Sequence, residues 1–220
     1  MDNYHKITKL VSLHRLIAII RLDDLTHAVE ISRALLAGGV YLQEFTLSNP
    51  AAIGAIRAVR EQIEVFNTDQ AAIGLGSVRN LNEAQQALDC GAQFVVTPIT
   101  HTAIVERCRA AGIPIMPGAY TPTEIATAWD AGATFVKVFP ARNLGPSYIK
   151  DLLGPMPYLQ LMPTGGIDLN NMPAYFMAGA AAVGIGGNII DVQAVAQQNW
   201  PRLTAAAKIY AECAVLKGGS

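Results

Sequence analysis

Two charged side chains stand where strand pattern calls for apolar ones. Lys137 lies in "TFVKVFPARN" (residues 134–143), and Glu44 lies in "LQEFTLSNP" (residues 42–50). Side chains alternate along a strand, so Phe135, Lys137 and Phe139 share one face, Thr134, Val136 and Val138 share the other, and Pro140 ends the run. If the lysine's face points into a core, burial disfavours the ammonium form and leaves a neutral amine, the state that attacks a carbonyl and forms a Schiff base. If it points outward, the lysine runs past the outer layer to water and has no such role. Glu44 shares its face with Leu42 and Thr46, and a buried carboxylate needs a partner or a proton. A carboxylate at a strand end is as often structural as catalytic. Paired with Lys137 it becomes a proton carrier beside an amine nucleophile. The other lysines, at 6, 9, 150, 208 and 217, fall in helical or terminal segments and read as solvated surface.

Other residues suit an anionic ligand. "LMPTGGIDLNN" (161–171) and "VGIGGNIID" (183–191) each carry paired glycines between an apolar run and a helix, with Asp168 as the expected cap of the helix after the first. Glycine lets backbone N–H groups approach an anion, and phosphate sites in α/β barrels often use the loops after strands seven and eight. Gly165, Gly166, Gly186, Gly187 and Asn188 are the candidates. Arg21 closes "IAIIRLDD" on the parity of Ile17 and Ile19; it meets a carboxylate or phosphate, or pairs with Asp23 or Asp24. His5, His14, His27 and His101 lack metal-ligand spacing, so no metal is expected. Cys90, Cys108 and Cys213 show no CxxC spacing and read as packing residues in a reducing compartment.

The elements that must hold these residues follow a repeat. "LAGGV", "DCGAQ", "AAGIP", "DAGAT" and "MAGAA" each close an amphipathic stretch and open an apolar one, as a glycine past a helix end does. Strands are expected at 17–21, 41–47, 71–76, 93–97, 114–118, 134–139, 159–163 and 181–185. Helices are expected near 3–14, 27–38, 51–62, 81–90, 101–111, 121–131, 146–153, 169–178 and 191–214. Eight strand–helix units in 220 residues describe a (β/α)8 TIM barrel with an extra N-terminal helix: residues 1–15, a barrel core at 16–190 and a C-terminal helix at 191–220, all one domain. An open doubly wound sheet has the same alternation, but no GxGxxG follows the first strand and no GxxxxGK[ST] occurs.

Composition narrows the partners. With 51% hydrophobic and 15% charged residues and a net charge of −1, the chain carries no footprint for nucleic acid or anionic lipid. Low charge with high hydrophobicity points to a surface partly covered by other subunits. No 18-residue apolar run and no secretory h-region is present, which suggests a cytoplasmic protein without a membrane association.

Taken in order, "IAIIRLDD", "QEFTLSNP", "IGLGSV", "VVTPITH", "IPIMPGAYTPTEI", "FVKVFPA" and "PTGGI" resemble the class I aldolase family of 2-keto-3-deoxy-6-phosphogluconate (KDPG) and 4-hydroxy-2-oxoglutarate (KHG) aldolases over residues 16–190. The resemblance implies a homotrimeric barrel that forms a Schiff base with pyruvate, without metal or organic cofactor. It places Lys137 at the Schiff-base position and Glu44 at the proton-shuttle position. Pro98, Phe139 and Thr164 match pocket-lining positions, and Gly165 and Gly166 the phosphate-contacting turn. Three positions depart: Ser48 stands where many members have an arginine for the substrate carboxylate, Ser77 where a threonine is usual, and Asn188 where a serine is frequent.

The chemistry so implied is cleavage of a 4-hydroxy-2-oxo acid, KDPG or 4-hydroxy-2-oxoglutarate, to pyruvate and an aldehyde. Oxaloacetate decarboxylation through the same imine and cleavage of the phosphogalactonate isomer are alternatives. A phosphate-binding isomerase or epimerase and a non-catalytic metabolite-binding barrel are readings from other classes.

Overall fold

The computed structural model describes residues 3–68 and 70–215; Lys217, expected on the surface, lies outside them. Helix α1 (Asn3–His14) leads into β1 (Leu16–Ile20), α2 (Ala28–Ala37), β2 (Leu42–Thr46), α3 (Ala52–Gln62), β3 (Ala72–Gly76), α4 (Leu81–Asp89), β4 (Phe94–Val96) and α5 (Thr102–Ala110). Then come β5 (Ile115–Met116), β6 (Gly118–Ala119), α6 (Pro122–Asp130), β7 (Val136–Val138), α7 (Gly145–Leu153), β8 (Leu161–Pro163), α8 (Met172–Met177), β9 (Val183–Ile185), α9 (Val192–Ala196) and α10 (Trp200–Val215). The strands are parallel and form two sheets, in the orders β5-β4-β3-β2-β1-β9 and β6-β7-β8. A parallel bridge between Thr164 and Gly184 connects the end of β8 to β9.

Strand alternation separates two apolar clusters. Ile17, Leu42, Phe94, Phe135 and Met162 gather in one, with Ile7, Leu10 and Val11 of α1 packed among them. Ala18, Phe45, Val95, Val136 and Val138 point the other way, into the larger cluster shared with the helices. Residues 7, 10 and 11 are spaced as one helical face, and burying each contributes about 1.5–3 kcal/mol, which anchors α1 over the strand starts.

Two expected elements and one expected cap differ. The strand expected at 114–118 is two, because Pro117 has no N–H for the ladder; β5 pairs with β4 and β6 with β7. The helix expected at 191–214 breaks after Ala196. Gln198 turns the chain with φ +52° and Asn199 caps α10 by accepting from the Arg202 N–H, leaving Pro201 in the first turn. Asp168 caps no helix. Its side chain accepts from the N–H groups of Asn170 and Asn171 in the turn ahead of α8, which begins at Met172.

Candidate functional site

Lys137 sits mid-strand in β7, level with Gly118 on one side and Met162 on the other. It lies on the Phe135 side of the strand, is 4% exposed, and its Nζ stands 4.8 Å from the centre of the Phe139 ring. The outward, solvent-seeking alternative is therefore overturned. Burial pushes the ammonium pKa down; the Glu44 charge opposes that shift and the Arg21 charge adds to it.

Glu44 is level with Ile19 of β1 and Gly74 of β3 and is 1% exposed. Burial pushes its carboxyl pKa up, against the smaller pulls of Lys137 and Arg21. Its Oε2 is buried without a hydrogen-bond partner among the described residues. Gly76 makes its position possible, since a Cβ there would fall on Glu44 Oε1 and Cδ. Gly76→Ala is expected to lower kcat about 10- to 100-fold by displacing the carboxyl and to cost about 1–3 kcal/mol through overpacking, measured by steady-state kinetics and urea unfolding.

A cavity of about 840 Å³ opens beside the lysine. Lys137 and Phe139 of the β7 segment and Ile19 and Arg21 of the β1 segment line it. Thr164, Gly165 and Gly166 come from the turn after β8, and Gly186, Gly187 and Asn188 from the turn after β9. Room for it comes partly from Gly184, where a Cβ would lie 2.5 Å from Thr164 Oγ1. Gly165 and Gly166 take φ +93° and +82°, a conformation that favours glycine. No backbone carbonyl among the described residues accepts from the N–H groups of Gly165, Gly166, Gly187 or Asn188. Asn188 donates its side-chain amide to Ile167 O at 2.7 Å, tying the two turns together. The mouth thus offers donors to an anion and, at its inner end, an amine.

The remaining candidates stand apart from this cavity. Glu44 is not in its lining and acts on it through charge, toward Lys137 and Arg21. Pro98 lines a smaller neighbouring cavity of about 330 Å³, which shares Phe139 and Pro140 with the main one. Ser48 is exposed, with its hydroxyl 2.8 Å from Thr46 Oγ1, and Ser77 turns the chain with φ +62°. The sequence reading missed Arg142, which lines the main cavity two residues beyond Pro140. Its signal was a cation directly after the lysine strand. Among the described residues no three His, Cys, Asp or Glu side chains gather as a metal site requires.

A family model described as KDPG and KHG aldolase matches residues 7–206. The chain belongs to the KDPG and KHG aldolase family. It is 35% identical to a 2-dehydro-3-deoxy-phosphogluconate aldolase of Treponema pallidum (strain Nichols), over 87% of this chain and 89% of that one. A solved structure described as native KDPGal matches with TM-score 0.82 and 29% identity, over 91% of this chain and 96% of that one. KDPG aldolase from Legionella pneumophila, solved with pyruvate captured as a covalent carbinolamine intermediate, matches with TM-score 0.80 and 26% identity, over 96% and 98%. The protein is an aldolase, a carbon–carbon lyase. That sets aside the isomerase and the non-catalytic readings.

Proposed function

We propose that this aldolase uses Lys137 as its Schiff-base amine and Glu44 as its proton carrier to cleave a phosphorylated 4-hydroxy-2-oxo acid of the KDPG type into pyruvate and an aldehyde. The observation that carries this is the pairing of a buried amine, its pKa lowered at the cavity's inner end, with a buried carboxyl whose pKa is raised and whose Oε2 lacks a partner. Neutral Lys137 adds to the C2 ketone, and the resulting carbinolamine loses water to leave a protonated imine. Glu44 takes the proton of the C4 hydroxyl. The C4–O electrons then form the aldehyde carbonyl, the C3–C4 bond breaks, and its pair flows into the iminium to give an enamine. Protonation at C3 and hydrolysis release pyruvate and return the amine. The Phe139 ring against Nζ keeps the amine poorly solvated and fixes its approach.

Arg21 is the cation nearest in effect to this pair, since its charge acts on both groups. It takes the substrate carboxylate, a role for which Ser48, bonded to Thr46 and outside the lining, is not placed. The turns holding Gly165, Gly166 and Gly187 receive the phosphate. Thr164 borders the reacting carbons. Borohydride reduction in the presence of pyruvate, followed by peptide mass analysis, tests the reading: an adduct on Lys137 is expected, and none would overturn it.

The same proposal includes closure of the strands into an eight-membered barrel over residues 16–190. β5 and β6 act as two halves of one strand around Pro117, and the Thr164–Gly184 bridge joins the sheets on the other side. It includes a cytoplasmic homotrimer as well. Exposed Ile99, Met177 and Ile209, together with a charged fraction of 15%, support subunit contacts. Light scattering is expected to give three times the 23.4 kDa chain mass; a monomer would refute the assembly. No helix among the described residues is long and apolar enough to cross a membrane.

A further inference from the structure

We propose that Arg142 selects phosphorylated substrates by gripping the phosphate where the cavity is walled by the Gly165–Gly166 turn. The inference rests on the aldolase reading above and adds a specificity-determining residue to it. Arg142 belongs to the single 3-10 turn Ala141–Asn143 that follows Pro140. It lines the same cavity as Lys137 and the glycine turns. Its backbone is pressed against Gly166: a Cβ on Gly166 would stand 2.6 Å from Arg142 Cβ and 3.2 Å from its Cα. With φ +82° and no side chain, Gly166 lets the guanidinium-bearing turn and the N–H groups of the 165–166 turn converge on one volume.

The cation is also uncommitted. Arg142 takes part in none of the ion pairs formed by Arg79, Arg202, His27 and Lys208. Arg21 acts on both Lys137 and Glu44, while Arg142 lines the cavity against Gly166. Arg21 therefore serves the reacting end, and Arg142 serves the Gly166 end. A phosphate dianion matches that end best, because it takes a forked pair of guanidinium bonds and still accepts from backbone N–H groups. 4-Hydroxy-2-oxoglutarate is shorter by a carbon and a phosphoester, so its distal carboxylate stops short of the fork.

Arg142→Gln keeps the Cβ that packs on Gly166 and removes the charge. For the phosphorylated six-carbon acid its kcat/KM is expected to fall about 10- to 100-fold, mainly through KM. The loss for the same acid without its phosphate is expected to be several-fold smaller. Inorganic phosphate should inhibit the parent more strongly than the variant, and added salt should raise the parent's KM more steeply. Arg142→Lys, a point charge without the fork, is expected to recover part of the loss. Equal losses on the two acids, with phosphate inhibiting parent and variant alike, would overturn the inference. Pyruvate trapping on the parent separates the two levels: no adduct on Lys137 removes the aldolase assignment, whereas an adduct with unchanged selectivity in Arg142→Gln removes only the role of Arg142.

Discussion

Lys137→Met is expected to lower turnover of a 4-hydroxy-2-oxo acid by about 10⁴-fold or more and to leave no borohydride-stable adduct with pyruvate. The loss is this large because the imine is the electron sink for the broken C3–C4 bond, and no other lysine stands in the cavity lining. Lys9, Lys150 and Lys208 are exposed on helices. A rescue by a neighbouring amine therefore has no candidate there. The variant's stability sharpens the test. The folded-state pKa of Lys137 is depressed below the 10.5 of a free amine. Such a group adds stability only above its unfolded value, and that contribution is lost as pH falls through the folded pKa. At neutral pH the buried amine is a cost to the fold, and methionine removes it while filling similar volume. Glu44 answers the loss of the cation by keeping its proton, since burial already favours its neutral form. Calorimetry should find the variant melting at or above the parent's temperature. Dead enzyme with a lowered melting point would mean that the site collapsed, and residual turnover near the parent's would mean that Lys137 does not carry the chemistry.

What could be read from the chain alone was what local pattern encodes. The two-residue period of a strand put Lys137 on the side of Phe135 and away from Val136 and Val138, and the clusters fall that way. Glycines at 39, 91, 112, 132 and 179 mark helix ends because each takes a positive φ. Distances between loops are not encoded locally. Arg142 lies past the end of a strand, and its place in the cavity depends on Gly166, a residue 24 positions later that leaves space for it. Pro98 has the opposite history: a pocket position by resemblance, it faces the smaller cavity beyond Phe139. Asn199 shows the same limit in the fold, for its cap on Arg202 broke a stretch whose apolar period runs on through it. Pattern reports which face a side chain takes; what waits there is decided by elements far along the chain.

Glu44→Gln is expected to cut kcat about 10²- to 10⁴-fold while pyruvate still forms an adduct with Lys137 under prolonged borohydride trapping. The two variants thus separate nucleophile from proton carrier: one abolishes the covalent species, the other slows every step that moves a proton. In the parent, the acid limb of kcat/KM should lie above the ordinary carboxylate value of 4.5, because burial raises the Glu44 pKa more than Lys137 and Arg21 lower it. Glutamine does not titrate, so the Glu44 component of that limb should vanish in the variant, leaving only the component set by protonation of Lys137. Stability follows the same sign. A group with a raised folded pKa contributes its full stability below its unfolded value and loses it as pH rises through the folded pKa. The parent therefore weakens across that window relative to Glu44→Gln, and urea unfolding should show the variant's advantage growing from acid toward neutral pH. An acid limb unchanged between the parent and Glu44→Gln would take the proton transfer away from Glu44; the unpartnered Oε2 would then be left as a buried carboxyl with no chemical task.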